Sequence, residues 1–137
     1  AAPLPEPGQW QLSSRAEVLE GEDALRKALS EPIEDTDCVT ADEIAGGWKQ
    51  FLSETQESGC TLGIVSETAD RLAWRQVCKS EVVGTDGKLA NSDETTEANA
   101  TVKSRREWSW DALITGSEAK IRFHTEARWI SAKCEKP

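Results

Sequence analysis

The sequence predicts an α+β fold: a curled antiparallel sheet of about six strands, a meander, packed against one or two helices and held by two disulfides. A partial barrel is the more strongly curled form of the same arrangement. Three observations predict it. Six segments alternate polar and apolar residues with the period of a strand. One stretch opens on a capping box and continues as an apolar stripe at helical spacing. Four cysteines are spaced so that two of them face each other across a hairpin. A chain of 137 residues suits one domain with a modest core. The expected organisation is an extended proline-rich arm over residues 1–8 and a single disulfide-stapled domain over residues 9–137.

After the arm, "QWQLSSRAEV" (9–18) sets Trp10, Leu12 and Val18 on one face and Gln9, Gln11, Arg15 and Glu17 on the other, a half-buried strand. "GEDALRKALSEPI" follows, with Leu25, Ala28 and Leu29 at helical spacing. Glu22 and Asp23 suit the positive end of that helix, and Pro32 stops it. A second helix opens on Thr40 and Glu43, whose T-x-x-E spacing lets each side chain satisfy the other residue's orphan amide. Ile44, Trp48, Phe51 and Leu52 then form its apolar stripe. Gly46 and Gly47 weaken it by roughly 1 kcal/mol each relative to alanine. They mark either a close approach of another backbone or a kink.

"CTLGIVSETADRLAWRQVC" (60–78) reads as a hairpin centred on Ala69. That register places Cys60 opposite Cys78, Leu62 opposite Gln76, Ile64 opposite Trp74 and Ser66 opposite Leu72, all on one face. Thr61, Gly63, Val65, Ala73, Arg75 and Val77 occupy the other. The apolar pattern requires this register independently of the sulfurs, which then meet at cross-strand distance. Four cysteines allow three connectivities, and sequence alone does not select among them. The hairpin argument ranks Cys60–Cys78 first, leaving Cys38 with Cys134. This second bridge closes a loop of roughly 100 residues, for which chain-entropy arguments give about 4–5 kcal/mol.

Residues 79–95 are polar and contain the turn signal "GTDGK", a long loop with room for a minor hairpin. Three strands complete the meander. Ala98, Ala100 and Val102 alternate in "EANATVK", and Trp108, Trp110, Ala112 and Ile114 in "EWSWDALIT". Ile121, Phe123, Ala127 and Trp129 alternate in "KIRFHTEARWI", opposed by Arg122, His124, Glu126 and Arg128. One face is wet and the other buried.

Composition narrows the setting. The chain contains no methionine and begins "AAPLPEPGQW", the small residues expected after a signal-peptidase cut. No apolar run approaches the ~20 residues of a membrane-spanning helix. An even cysteine count in an exported chain implies an oxidising compartment. Residues 1–60 carry 13 acidic and 4 basic side chains, while residues 61–137 carry 12 of each, so the whole net charge of -9 belongs to the first part. Nucleic acid is excluded as an expected partner, because phosphate binding needs a basic excess.

The order "PGQW", "CVTADE" opening a helix, the stapled hairpin, a polar meander and a final cysteine resembles a family over nearly the whole chain, from Gly8 to Cys134. This is the proteobacterial periplasmic domain-of-unknown-function family 3617, typified by P-G-x-W and C-[VL]-T-P-E. Ala41 stands where that family usually has proline. The resemblance implies a bacterial source and a periplasmic location. It implies no activity and no catalytic residues.

No catalytic set assembles from the residues. His124 is the only histidine and is placed on a polar strand face. A zinc site would need more nitrogen donors or free thiolates, so no metal and no cofactor are expected. There is no P-loop and no dinucleotide fingerprint. Six tryptophans and no tyrosine are the unusual feature. All six fall on apolar faces, where each ring can bury about 150–250 Å² of core. Trp108 and Trp110, two residues apart on one face, are the candidate contacts for a ligand or partner. The expected function is a periplasmic or extracellular, non-catalytic binding module, not an enzyme. Its ligand would be a small apolar molecule or another envelope or extracellular protein. The alternative is a structural or assembly subunit that contacts partners through the N-terminal arm and the sheet edges.

Overall fold

The computed structural model describes residues 2–53, 59–79, 81–83 and 85–134. Ala1 of the arm, Gly84 of the turn signal, Ser80 and the last three residues of the domain lie outside the described residues. In chain order the elements are β1 (Gly8–Glu20), α1 (Asp23–Ala28), β2 (Ile33–Val39), α2 (Ala41–Ile44), α3 (Trp48–Ser53), β3 (Cys60–Glu67), β4 (Arg71–Cys78), β5 (Glu81–Val83), β6 (Leu89–Asn91), β7 (Glu94–Ser104), β8 (Glu107–Thr115) and β9 (Lys120–Ser131).

Seven strands form one antiparallel sheet in the order β2-β1-β9-β8-β7-β4-β3, while β5 and β6 pair separately as the minor hairpin in the polar stretch. The sheet is not closed, and β2 and β3 are its edges. All six strands read from alternation are present. The seventh, β2, has no alternation to announce it. "IEDTDCV" is exposed at every position except Val39. Its conformation comes from a partner: it pairs with β1 in unbroken register from Gly8 opposite Val39 to Ser14 opposite Ile33.

The stapled hairpin follows the expected register from Cys60 opposite Cys78 to Ile64 opposite Trp74. A bulge between Ile64 and Ser66 then shifts it, so that Ser66 faces Ala73 and Leu72 faces Glu67, instead of Ser66 facing Leu72. The central neighbour explains where the irregularity falls. β4 pairs with β7 without a break from Arg71 to Cys78, which keeps Leu72 beside Ala100 in the core, and the extra residue is left to the edge strand. Val65, at the bulge, is 69% exposed, whereas Leu72 is 1% exposed.

The second helix is a kinked pair. The capping box forms as expected, with the Glu43 amide donating to Thr40 Oγ1 at 3.3 Å and the Thr40 amide donating to Glu43 Oε1 at 3.4 Å. The helix breaks at Gly47, whose φ of +90° is open to glycine and costly for other residues. A Cβ there would meet nothing within 4 Å, so backbone conformation, not a close approach, is what requires glycine. The break keeps the stripe intact. Ile44 and Trp48 are buried, and Phe51 and Leu52 pack against the core.

Both disulfides join the expected partners, Cys60–Cys78 and Cys38–Cys134. The second links β2 to the chain just past β9, with Cα atoms 5.7 Å apart. The core lies between the inner face of the sheet and α2–α3. Trp10, Trp48, Trp74 and Trp108 are buried in it, while Trp110 and Trp129 are half-buried.

The proline-rich segment lies against this core. The Trp10, Trp48 and Trp129 indole N–H groups donate to the carbonyls of Glu6, Ala2 and Pro7 at 2.8, 3.0 and 3.1 Å. Ala2 and Pro5 are buried. Proline suits this role: it has no amide donor to satisfy, yet still leaves carbonyls for others. Glu6 also pairs with Arg106 at 2.7 Å, and the Arg106 guanidinium stacks 4.1 Å from the Trp129 ring centroid. Gly8 completes the attachment. A Cβ there would run into the Ser131 carbonyl and sit 2.6 Å from Trp129 Nε1.

Deleting residues 1–7 should therefore lower unfolding stability by several kcal/mol, since each indole left unpaired in the core costs about 1–3 kcal/mol. Urea denaturation measures this, and a loss below about 1 kcal/mol would show the segment to be a loose appendage. A hydrogen bond from Arg106 holds the Glu6 carboxyl below the usual range against a smaller upward push from desolvation, and the charges of Arg106 and Arg105 add to the lowering. That contribution is present above the unfolded pKa of Glu6 and is lost as pH falls through the folded one. Glu6→Gln should destabilise the protein at neutral pH and match the parent in acid, as read by thermal melts across pH.

Candidate functional site

An apolar cavity of about 210 Å³ opens between the sheet and the helices. Trp10 and Leu12 of β1, Trp108 and Trp110 of β8 and Ala127 of β9 form its floor. Phe51 and Leu52 of α3 form one wall. Pro5, Val39, Asp37 and Glu43 complete the rim. The sequence produces this shape locally. Alternation aims the two indoles of "WSW" at the same face, and the break at Gly47 turns α3 so that Phe51 and Leu52 hang over them. A larger groove of about 290 Å³ is lined by Gln11, Ser13, Glu34, Lys103, Glu107, Glu126 and Arg128, among others. Its charges are of both signs and its character is that of ordinary wet surface. Ligand sites are more often apolar concavities with a few placed polar groups, which describes the first cavity.

The candidate pair Trp108 and Trp110 is brought together, with ring centroids 4.3 Å apart, but the two rings are not equivalent. Trp108 is 5% exposed and is clamped by Trp48 at 5.0 Å and Phe51 at 6.3 Å. Trp110 is half-buried and is the more accessible of the two. Trp108 is therefore a packed part of the floor and Trp110 the part that a ligand can reach.

The polar part of the site comes from residues that sequence reasoning did not single out. Asp37 lies directly opposite Trp10 in the β1–β2 ladder, so its side chain shares the face of that indole. Its side chain is exposed, yet packed neighbours desolvate it enough to push its pKa up; the Glu43 carboxylate adds to this, a hydrogen bond from the Cys38 amide partly opposes it, and Asp35 contributes a little more in the upward direction. Glu43 reaches the rim from α2 while its carboxylate accepts from Thr40 Oγ1 at 3.1 Å. Asp37 could not be placed without knowing that β2 is a strand. Phe51 and Leu52 were visible only as a helix stripe.

His124 sits away from the cavity on the outer face of the sheet, opposite Arg15, with Nδ1 2.8 Å from Asp111 Oδ1 and Nε2 3.9 Å from Glu126 Oε1. The four cysteines are all in disulfides. Among the described residues no group of three or more His, Cys, Asp or Glu side chains is placed to hold a metal ion, and no helix is long and apolar enough to cross a membrane.

Fold and site together define a class: a disulfide-stapled, open antiparallel sheet that holds an aromatic cavity under a short helical cap. The family described as "Protein of unknown function (DUF3617)" matches residues 5–134, nearly the whole chain, and the chain belongs to that family. No curated protein matches it.

The raised pKa of Asp37 has a consequence for stability. The folded protein binds the Asp37 proton more tightly than the unfolded chain does, so ionised Asp37 destabilises the fold. The penalty is complete above the folded pKa and is relieved as pH falls through it toward the unfolded value. Asp37→Asn should melt higher than the parent at neutral pH, and the difference should shrink on acidification. An equal or lower melting temperature at neutral pH would contradict this.

Proposed function

We propose that the protein is a non-catalytic binding module that works outside the cytoplasm, in the periplasm or the extracellular space, and takes a small, compact ligand into the aromatic cavity. The observation that carries this reading is the cavity itself: a concave apolar surface, floored by tryptophan, with carboxylates only at its rim. The volume of about 210 Å³ lies below the ~300–1,000 Å³ of drug-sized sites, so the ligand is a single ring or a short branched chain. Two disulfides suit an oxidising compartment.

The assembly reading rests on the open edges of the sheet, of which β3 exposes Val65. The N-terminal segment supports it less, because its carbonyls are already engaged within the chain. A dimer or larger species in sedimentation at high concentration would favour assembly over ligand binding.

Benzyl alcohol is a suitable neutral probe. Titrated into the protein, it should shift the NMR indole signals of Trp10 and Trp110 in a saturable way and leave Trp74 unmoved. Leu12→Trp, which fills the cavity, should abolish the shifts. Shifts spread over all six indoles, or none up to the solubility limit of the probe, would remove the cavity reading.

A further inference from the structure

The ionisable side chains around the cavity are of one sign. Among the described residues that line it, only Asp37 and Glu43 carry charge, and no lysine, arginine or histidine is among them. Both belong to the part of the chain, residues 1–60, that holds the entire acidic excess of the protein. Asp35, two residues before Asp37 on the same face of β2, adds a third carboxylate nearby. Next to these acids stand the indoles of Trp10, Trp108 and Trp110. Aromatic faces attract cations through the ring quadrupole, and the attraction grows when the cation is partly desolvated.

We propose that the ligand of this cavity is an organic cation, an amine or ammonium group on a compact apolar body, with its charge set between Asp37 and the tryptophan floor and its apolar part under Phe51 and Leu52. The inference rests on the cavity being a ligand site, and it adds the class of the ligand. An anion would meet like charges in a partly dehydrated setting, which is unfavourable. A neutral ligand would cover Asp37 without compensating its lost hydration. A cation does the opposite, since its charge compensates both the desolvation and the neighbouring Glu43 carboxylate that push the Asp37 proton affinity up. A divalent metal fits poorly, because hard cations need six or more oxygen ligands and the wall here is indole and aliphatic.

Three probes that share a benzyl group separate the terms: benzyltrimethylammonium, benzyl alcohol and phenylacetate. Each is titrated into the intact, oxidised protein, with the Trp10 and Trp110 indole signals as the readout. The cation should bind about tenfold more tightly than the alcohol, and phenylacetate more weakly than either. Asp37→Asn should weaken the cation about tenfold and leave the alcohol unchanged, and Glu43→Gln, which preserves the capping box, should weaken the cation by less. Asp37→Ser serves as a second variant should the asparagine disturb β2.

Equal affinity for cation and alcohol, or an Asp37→Asn variant that binds the cation as the parent does, would overturn the inference while leaving the cavity as a neutral site. Cation binding that shifts signals outside the cavity would overturn it as adsorption to the acidic surface. Failure of both cation and alcohol to bind would remove the inference and the underlying reading together.

Discussion

An indole packed in or against the core must give its N–H to an acceptor, and in this protein that requirement fixes the N-terminal segment. Trp10, Trp48 and Trp129 come from β1, α3 and β9, and all three donate to one extended stretch, residues 2–7. A helix interior or a central strand could not have received them so readily, because its carbonyls would already be engaged. Pro3, Pro5 and Pro7 keep the stretch out of regular structure and remove donors that would need partners of their own. The "PGQW" motif thereby acquires a physical meaning. Pro7 supplies a carbonyl, Gly8 makes room for the Trp129 ring and the Ser131 carbonyl, and Trp10 plugs the core at 2% exposure.

The same core sits on a sheet that never closes, and an open sheet has two edges to secure. Each edge strand carries one half of a disulfide. Cys60 ties β3 to β4, and Cys38 ties β2 to the segment after β9. β2 has most need of such a bond. It buries little beyond Val39, so pairing with β1 and a covalent tether must hold what apolar burial does not. Its acidic residues also discourage another chain from adding to that edge.

The cavity follows from this arrangement. An edge strand that projects carboxylates instead of aliphatic side chains toward the inner face leaves the space beside Trp10 and Trp110 without an apolar cover on that side. The helical cap covers the other side, because the break at Gly47 directs Phe51 and Leu52 downward. Edge protection and ligand recognition can thus be served by the same acids. A charge that costs stability in the folded protein is one that a bound cation would compensate.

Local pattern was sufficient to determine much of this protein. Period-two alternation located six strands, T-x-x-E located the helix start, and the facing apolar residues of residues 60–78 gave the hairpin register from Cys60 to Ile64 and ranked first the cysteine pairing that forms. These features are legible because each depends on neighbours in the chain or on a short hairpin. What tertiary structure alone decided depends on distant partners. β2 is a strand because β1 binds it, the bulge at Val65 exists because β7 holds β4 in a fixed register, and Trp108 is packed while Trp110 is reachable because α3 lies over one ring more than the other. Asp37 joined the tryptophans through the first of these pairings. No periodicity in "IEDTDCV" could signal it, since a strand that buries almost nothing leaves no apolar rhythm in its sequence.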